Sequence, residues 1–247
     1  MKINVRLLCR TALLLALCIA SQFLKNTSGY ITGSVVNTIL IVATLSCGFL
    51  SGATIGAIAP LTSWWITGSP VMSAYPAIVP CVMVGNLILV ASVWLFAKWL
   101  KMPTAEKLSF SDGRFRLVVL IALIACALWS ALTIAFISSL SSALQISATS
   151  PLLIVSLVMV AGVFFVFVAL WALVCRFPQS WSLIAGMVIG SVVKALFMWL
   201  VIVKIILPDA APEAVKITFS VTQLLTALIG SLLAFLVWIP LKKLGSE

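Results

Sequence analysis

Residues 78–100 read IVPCVMVGNLILVASVWLFAKWL, and Lys98 is the one charged residue among them. A helix needs about 20 mostly apolar residues to cross a hydrocarbon core of about 30 Å, because each residue adds about 1.5 Å. This stretch therefore predicts a membrane-spanning helix. The whole chain of 247 residues is 64% hydrophobic and 8% charged, which is more apolar surface than a soluble domain of that size can bury.

Seven further runs are apolar enough to predict spans, although the third is short and contains Pro60, which predicts a kink or partial insertion. The eight runs cover residues 7–24, 31–50, 51–67, 78–100, 117–139, 151–174, 181–207 and 218–239. No convincing cleavage site follows the first run, so we interpret it as a span and not as a secretory signal. The predicted fold class is an all-α polytopic membrane bundle, forming one integral membrane domain over residues 1–247.

The basic residues indicate the topology, since cytoplasmic loops gather Lys and Arg. With the amino terminus inside, eleven of the fifteen basic residues fall in inward segments, and Lys25, Lys204 and Lys216 fall in outward ones. This pattern predicts an even number of spans, eight or six, with both termini in the cytoplasm and the chain in the inner or plasma membrane. Residues 101–116 are then a cytoplasmic loop. The net charge of +10 does not indicate a nucleic-acid partner, because the basic residues form no stripe.

Lys194 is the one basic residue near the middle of a predicted span. A charge at that depth costs about 2.5 to 3.5 kcal/mol on insertion scales, and no span supplies an acid to pair with it. We expect an anionic substrate, a carboxylate or a phosphate, to approach it from outside, although snorkelling is the simpler explanation. Asn37 and Asn86 are candidate partners in substrate binding, or else hydrogen-bonded links between helices.

Aromatic side chains near the outer ends of spans are candidates for a stacking wall around a flat ligand, or else ordinary interfacial residues. These candidates are Trp64, Trp65, Tyr75 and Trp199. Gln223, near the outer start of the last span, could complete a polar cluster with Lys194.

Missing residue types restrict the chemistry. The chain has no histidine, no CxxC pair and no carboxylate inside a predicted span, so neither a metal site nor paired-acid catalysis is expected, and we predict that the protein is not an enzyme. It also has no GxxxxGK[ST] sequence, so any ATP would be hydrolysed by other chains.

Small residues four apart allow helices to approach closely in lipid. Such stripes occur at Ala12, Ala16 and Ala20 in the first span, at Gly48, Gly52 and Gly56, and at Gly186 and Gly190. The alanine stripe, the segment ITGSVVN at 31–37, the glycine-rich turn and Gly85-Asn86 together resemble the substrate-binding S components of energy-coupling factor (ECF) transporters. The resemblance is best over the first hundred residues.

This resemblance implies a subunit that captures a vitamin or related micronutrient outside the cell. It implies that Ala12, Ala16 and Ala20 dock onto a transmembrane coupling subunit, which a pair of cytoplasmic ATPases drives. The family has six helices, so residues 117–174 would be a hairpin inserted into an S-component-like core. Two other hypotheses stay open, namely a stand-alone permease or exporter and a non-transport membrane protein.

Overall fold

The computed structural model describes residues 5–26, 29–98, 151–177 and 180–244, and every regular element in these ranges is helical. The longer helices are α1 (Val5–Gln22), α2 (Gly29–Cys47), α3 (Phe49–Thr67), α5 (Ile78–Lys98), α6 (Pro151–Arg176), α7 (Trp181–Met198) and α9 (Val221–Leu244). The short helices are α4 (Pro70–Ala74) and α8 (Glu213–Thr218), with a 3-10 turn at Phe23–Asn26 and a π-helical segment at Trp199–Ile206 that continues α7.

Six helical stretches among the described residues are long and apolar enough to cross a membrane, which confirms the all-α, multi-pass membrane class. They are Val5–Gln22, Gly29–Cys47, Phe49–Thr67, Ile78–Lys98, Trp181–Ile206 and Ala214–Leu241. The predicted span at 117–139 and the predicted loop at 101–116 lie outside the described residues. The predicted span at 151–174 falls on α6, whose segment Ala161–Val174 is apolar.

The chain separates into two compact units, and the second is inserted in the sequence of the first. One unit consists of Met1–Lys101 and Ser182–Glu247, and the other of Met102–Trp181. The first unit contains all six candidate spans. The inserted hairpin at 117–174 and the single membrane domain stay predictions.

Helix α2 is the central element of the first unit and packs against α1, α3, α5 and α9. Its segment from Ile39 to Thr44 is buried without interruption. The close approach of α9 depends on Gly230, because a Cβ atom at that position would lie 2.6 Å from Asn37 Cβ and 2.9 Å from the Ser34 carbonyl oxygen. Cβ atoms are essentially never found within 3.0 Å of another heavy atom in this way, so only glycine fits there without a shift.

Helices α5 and α7 run antiparallel. Late residues of α5 contact early residues of α7: Ser92 Oγ donates to the Gly186 carbonyl at 3.0 Å, and Ser182 Oγ donates to the Phe96 carbonyl at 2.9 Å. Earlier in α5, a Cβ on Gly85 would lie 3.2 Å from Met198, the last residue of α7. The end of α5 and the start of α7 therefore lie at the same end of the bundle.

Candidate functional site

A cavity of about 350 Å³ lies within the first unit. It is at the end of the bundle where α1 and α3 finish and where α2, α5 and α9 begin, which is opposite the basic amino terminus. Its wall includes Lys194, Asn37, Asn86, Gln22 and Gln223. A volume of this size is typical of small-molecule sites.

Lys194 lies about midway along Trp181–Ile206, is 2% exposed and contributes to the cavity wall. Its Nζ donates to Asn37 Oδ1 at 2.7 Å and to Asn86 Oδ1 at 2.8 Å. Both asparagines lie about 12 Å along their helices from the ends that open to the cavity, at about 1.5 Å per residue. Three helices thus bring the predicted polar residues together at the deep end of the cavity.

Asn86 is oriented by the proline in α3. Pro60 has no N–H, so the Gly56 carbonyl one turn earlier loses its helical partner. Asn86 Nδ2 donates to that carbonyl at 3.0 Å, which turns Oδ1 of the same amide toward Lys194. Helix α3 therefore continues past Pro60 as one helix of 19 residues, because a neighbouring side chain satisfies the freed carbonyl.

Asn37 completes the cluster from α2. Its Oδ1 accepts from Lys194, while its Nδ2 donates to no residue that the structure describes. An ammonium has three N–H donors and two of those on Lys194 are used by the asparagines. The wall therefore presents one ammonium N–H and one amide group that a bound acceptor can use.

Gln22, at the end of α1, also lines the cavity and is 1% exposed. Its Nε2 donates to the Ala59 carbonyl at 3.0 Å, but its buried Oε1 has no hydrogen-bond partner. A buried acceptor without a donor costs about 1 to 3 kcal/mol. Because this oxygen has almost no accessible surface, Gln22 contributes other atoms to the cavity wall. The sequence analysis missed Gln22, although a polar Ser21-Gln22 pair ending an apolar run is a signal that could have found it.

The outer part of the cavity is mainly apolar. Tyr30, Val71, Met72 and Phe219 line it. Gln223 is also part of the wall, but its Nε2 donates to the Thr218 carbonyl at 3.4 Å and is not bonded to Lys194.

None of the four predicted aromatic candidates is among the residues that line the cavity. Trp64, Tyr75 and Trp199 pack instead around the apolar cluster that contains Met198 and Ile202. Trp64 Nε1 donates to Ser73 Oγ at 3.1 Å, and the Lys204 ammonium lies 5.6 Å from the Trp199 ring centroid. Trp65 is 87% exposed on the bundle surface.

Helix α1 has two distinct faces. Cys18 is fully buried in an apolar cluster with residues of α2 and α3, and Leu14 and Leu15 pack against that cluster. Ala12, Ala16 and Ala20 are all exposed on the outer face of the helix. The small-residue stripe is therefore available to another helix in the membrane.

Among the described residues, no group of three His, Cys, Asp or Glu side chains could hold a metal ion.

Comparison of the chain with protein-family models, with curated protein sequences and with solved structures finds no match.

Proposed function

We propose that this protein is the membrane-embedded substrate-binding subunit of an ECF-type importer, resident in the inner or plasma membrane. It captures a vitamin or related micronutrient at the outer side and delivers it inward together with a transmembrane coupling subunit and a pair of ATPases. The observation that carries the proposal is the Lys194 cluster at the floor of a cavity that opens away from the basic amino terminus.

The buried lysine favours ligand binding over a purely structural role. Its partners are two neutral amides, so the positive charge is hydrogen-bonded but not neutralised. An uncompensated charge within the bilayer is costly, and structures retain such groups mainly where a ligand, an ion or a proton uses them. A small anionic solute in the cavity would supply the missing charge.

Helix α1 supports the proposed partner. Ala12, Ala16 and Ala20 form an exposed face on which another helix could pack closely, and the chain has no nucleotide-binding sequence of its own. Transport of a solute bound by this subunit would therefore depend on docking of the coupling subunit onto α1.

The test is to replace Ala16 by Phe and to measure uptake in cells that express the complete transporter, alongside solute binding by the purified chain. We expect Ala16→Phe to reduce uptake to background while leaving the affinity within about twofold, because the substitution fills the docking face and does not touch the cavity. Ala91→Phe is the matched control, since Ala91 is an exposed alanine on α5. Equal uptake by the two variants would contradict the docking assignment.

A stand-alone permease is the second candidate. The π-helical segment Trp199–Ile206 follows the Lys194 helix directly, and irregular helices beside a mid-membrane site are common in secondary transporters. Reconstitution of the purified chain alone in liposomes separates the two candidates. Gradient-driven transport without partners would favour the permease.

A further inference from the structure

The cavity also indicates the chemical class of its solute, and this inference depends on the proposed function as a binding subunit. We infer that the cavity binds a small organic monocarboxylic acid. Phosphorylated solutes and dicarboxylic acids are excluded by the charge of the site, as follows.

The charge of the wall sets the charge of the solute. Lys194 is the one charged side chain among the described residues that line the cavity. A single negative charge would leave the occupied cavity neutral. A phosphate dianion or a second carboxylate would leave one buried negative charge without a partner, which is strongly unfavourable in a low-dielectric site.

The donors at the floor suit a carboxylate. Lys194 Nζ and the Asn37 amide are joined by a hydrogen bond of 2.7 Å, so they are adjacent on the wall. Each has N–H capacity that no described residue uses. A carboxylate has two acceptor oxygens on one carbon and can therefore take a hydrogen bond from each of these groups.

The remainder of the solute lies toward the mouth, where Tyr30, Met72 and Phe219 line the wall. An apolar or ring-shaped body is suited to this surface.

The experiment uses the purified full-length chain in detergent and yeast extract separated by ion exchange into neutral and cationic, singly anionic and multiply anionic fractions. Thermal unfolding of the protein is followed in the presence of each fraction, added either untreated or after methyl esterification of the carboxylates in the fraction. We expect the singly anionic fraction to raise the Tm and esterification to abolish the effect. Because this comparison uses the unmodified protein, it does not depend on the folding of any variant.

Variants then locate the effect. Lys194→Met should abolish the rise in Tm, because the carboxylate of the solute then has no opposite charge in the cavity. Ser46→Ala is the control, because Ser46 donates to the Val42 carbonyl and is not part of the cavity wall. Its response should equal that of the unmodified protein.

The other outcomes are distinguishable. A rise caused by the multiply anionic fraction, or by the neutral or esterified material, and lost in Lys194→Met would overturn the monocarboxylate inference and leave the binding function standing. A response that Lys194→Met retains in full would overturn the site itself. If no fraction raises the Tm, the proposed binding function fails together with the inference.

Discussion

At the scale of single residues, the main feature is a lysine held by amides. An acid beside Lys194 would neutralise it and close the site, whereas Asn37 and Asn86 hydrogen-bond the ammonium and leave its charge in place. The sequence identified all three side chains as unusual, because each is polar within an apolar run. The sequence could not show that the three side chains meet, since Asn37 and Asn86 lie 157 and 108 positions from Lys194.

A double-mutant cycle measures this coupling. We expect Asn37→Leu to destabilise the protein by about 1.5 to 3 kcal/mol, because the buried ammonium loses one of its two acceptors. In a Lys194→Met background the same Asn37→Leu change should cost markedly less, since no charge then needs the oxygen. Thermal or denaturant unfolding in detergent gives the four free energies. Equal costs in the two backgrounds would show that the hydrogen bond makes no contribution to stability.

At the scale of helices, Pro60 illustrates how a neighbour changes the consequence of a sequence feature. The proline does not end α3, since Asn86 bonds the Gly56 carbonyl that Pro60 leaves free, and the kink or partial insertion that it predicts stays a prediction. The break between α2 and α3 is instead at Gly48, whose φ of 96° is a conformation that other residues rarely adopt. The glycine-rich turn was visible in the sequence, but the compensation by Asn86 was not.

The contact between α2 and α9 gives a second prediction. A methyl group at Gly230 would collide with Asn37 Cβ and with the backbone of α2, so Gly230→Ala should separate the two helices and destabilise the protein by about 1 to 3 kcal/mol. Gly29→Ala is the matched control, because a Cβ at Gly29 meets nothing within 4 Å. Unfolding free energies in the same detergent compare the two. A loss no greater for Gly230→Ala than for Gly29→Ala would contradict the tight packing.

At the scale of the whole molecule, six candidate spans and the antiparallel pair α5 and α7 are compatible with the even crossing number that the charges predict. The orientation is testable by labelling single cysteines, introduced after the six native cysteines have been replaced. Ala210→Cys, in the exposed loop before α8, should react with a membrane-impermeant maleimide on intact cells. Lys98→Cys should react only after permeabilisation, because cytoplasmic ends carry the basic residues. The reverse pattern would invert the topology.

The sequence by itself determined that this is an all-α, multi-pass membrane protein and which side chains are costly in lipid. Both conclusions depend on local composition, because the bilayer requires long apolar helices wherever the chain crosses it. The tertiary structure alone decided that Lys194, Asn37, Asn86 and Gln22 surround one cavity and that Trp64, Tyr75 and Trp199 do not. The physical reason is that helix rotation and contact in lipid are set by close packing at small residues such as Gly230, which the hydrophobic pattern of each helix does not specify.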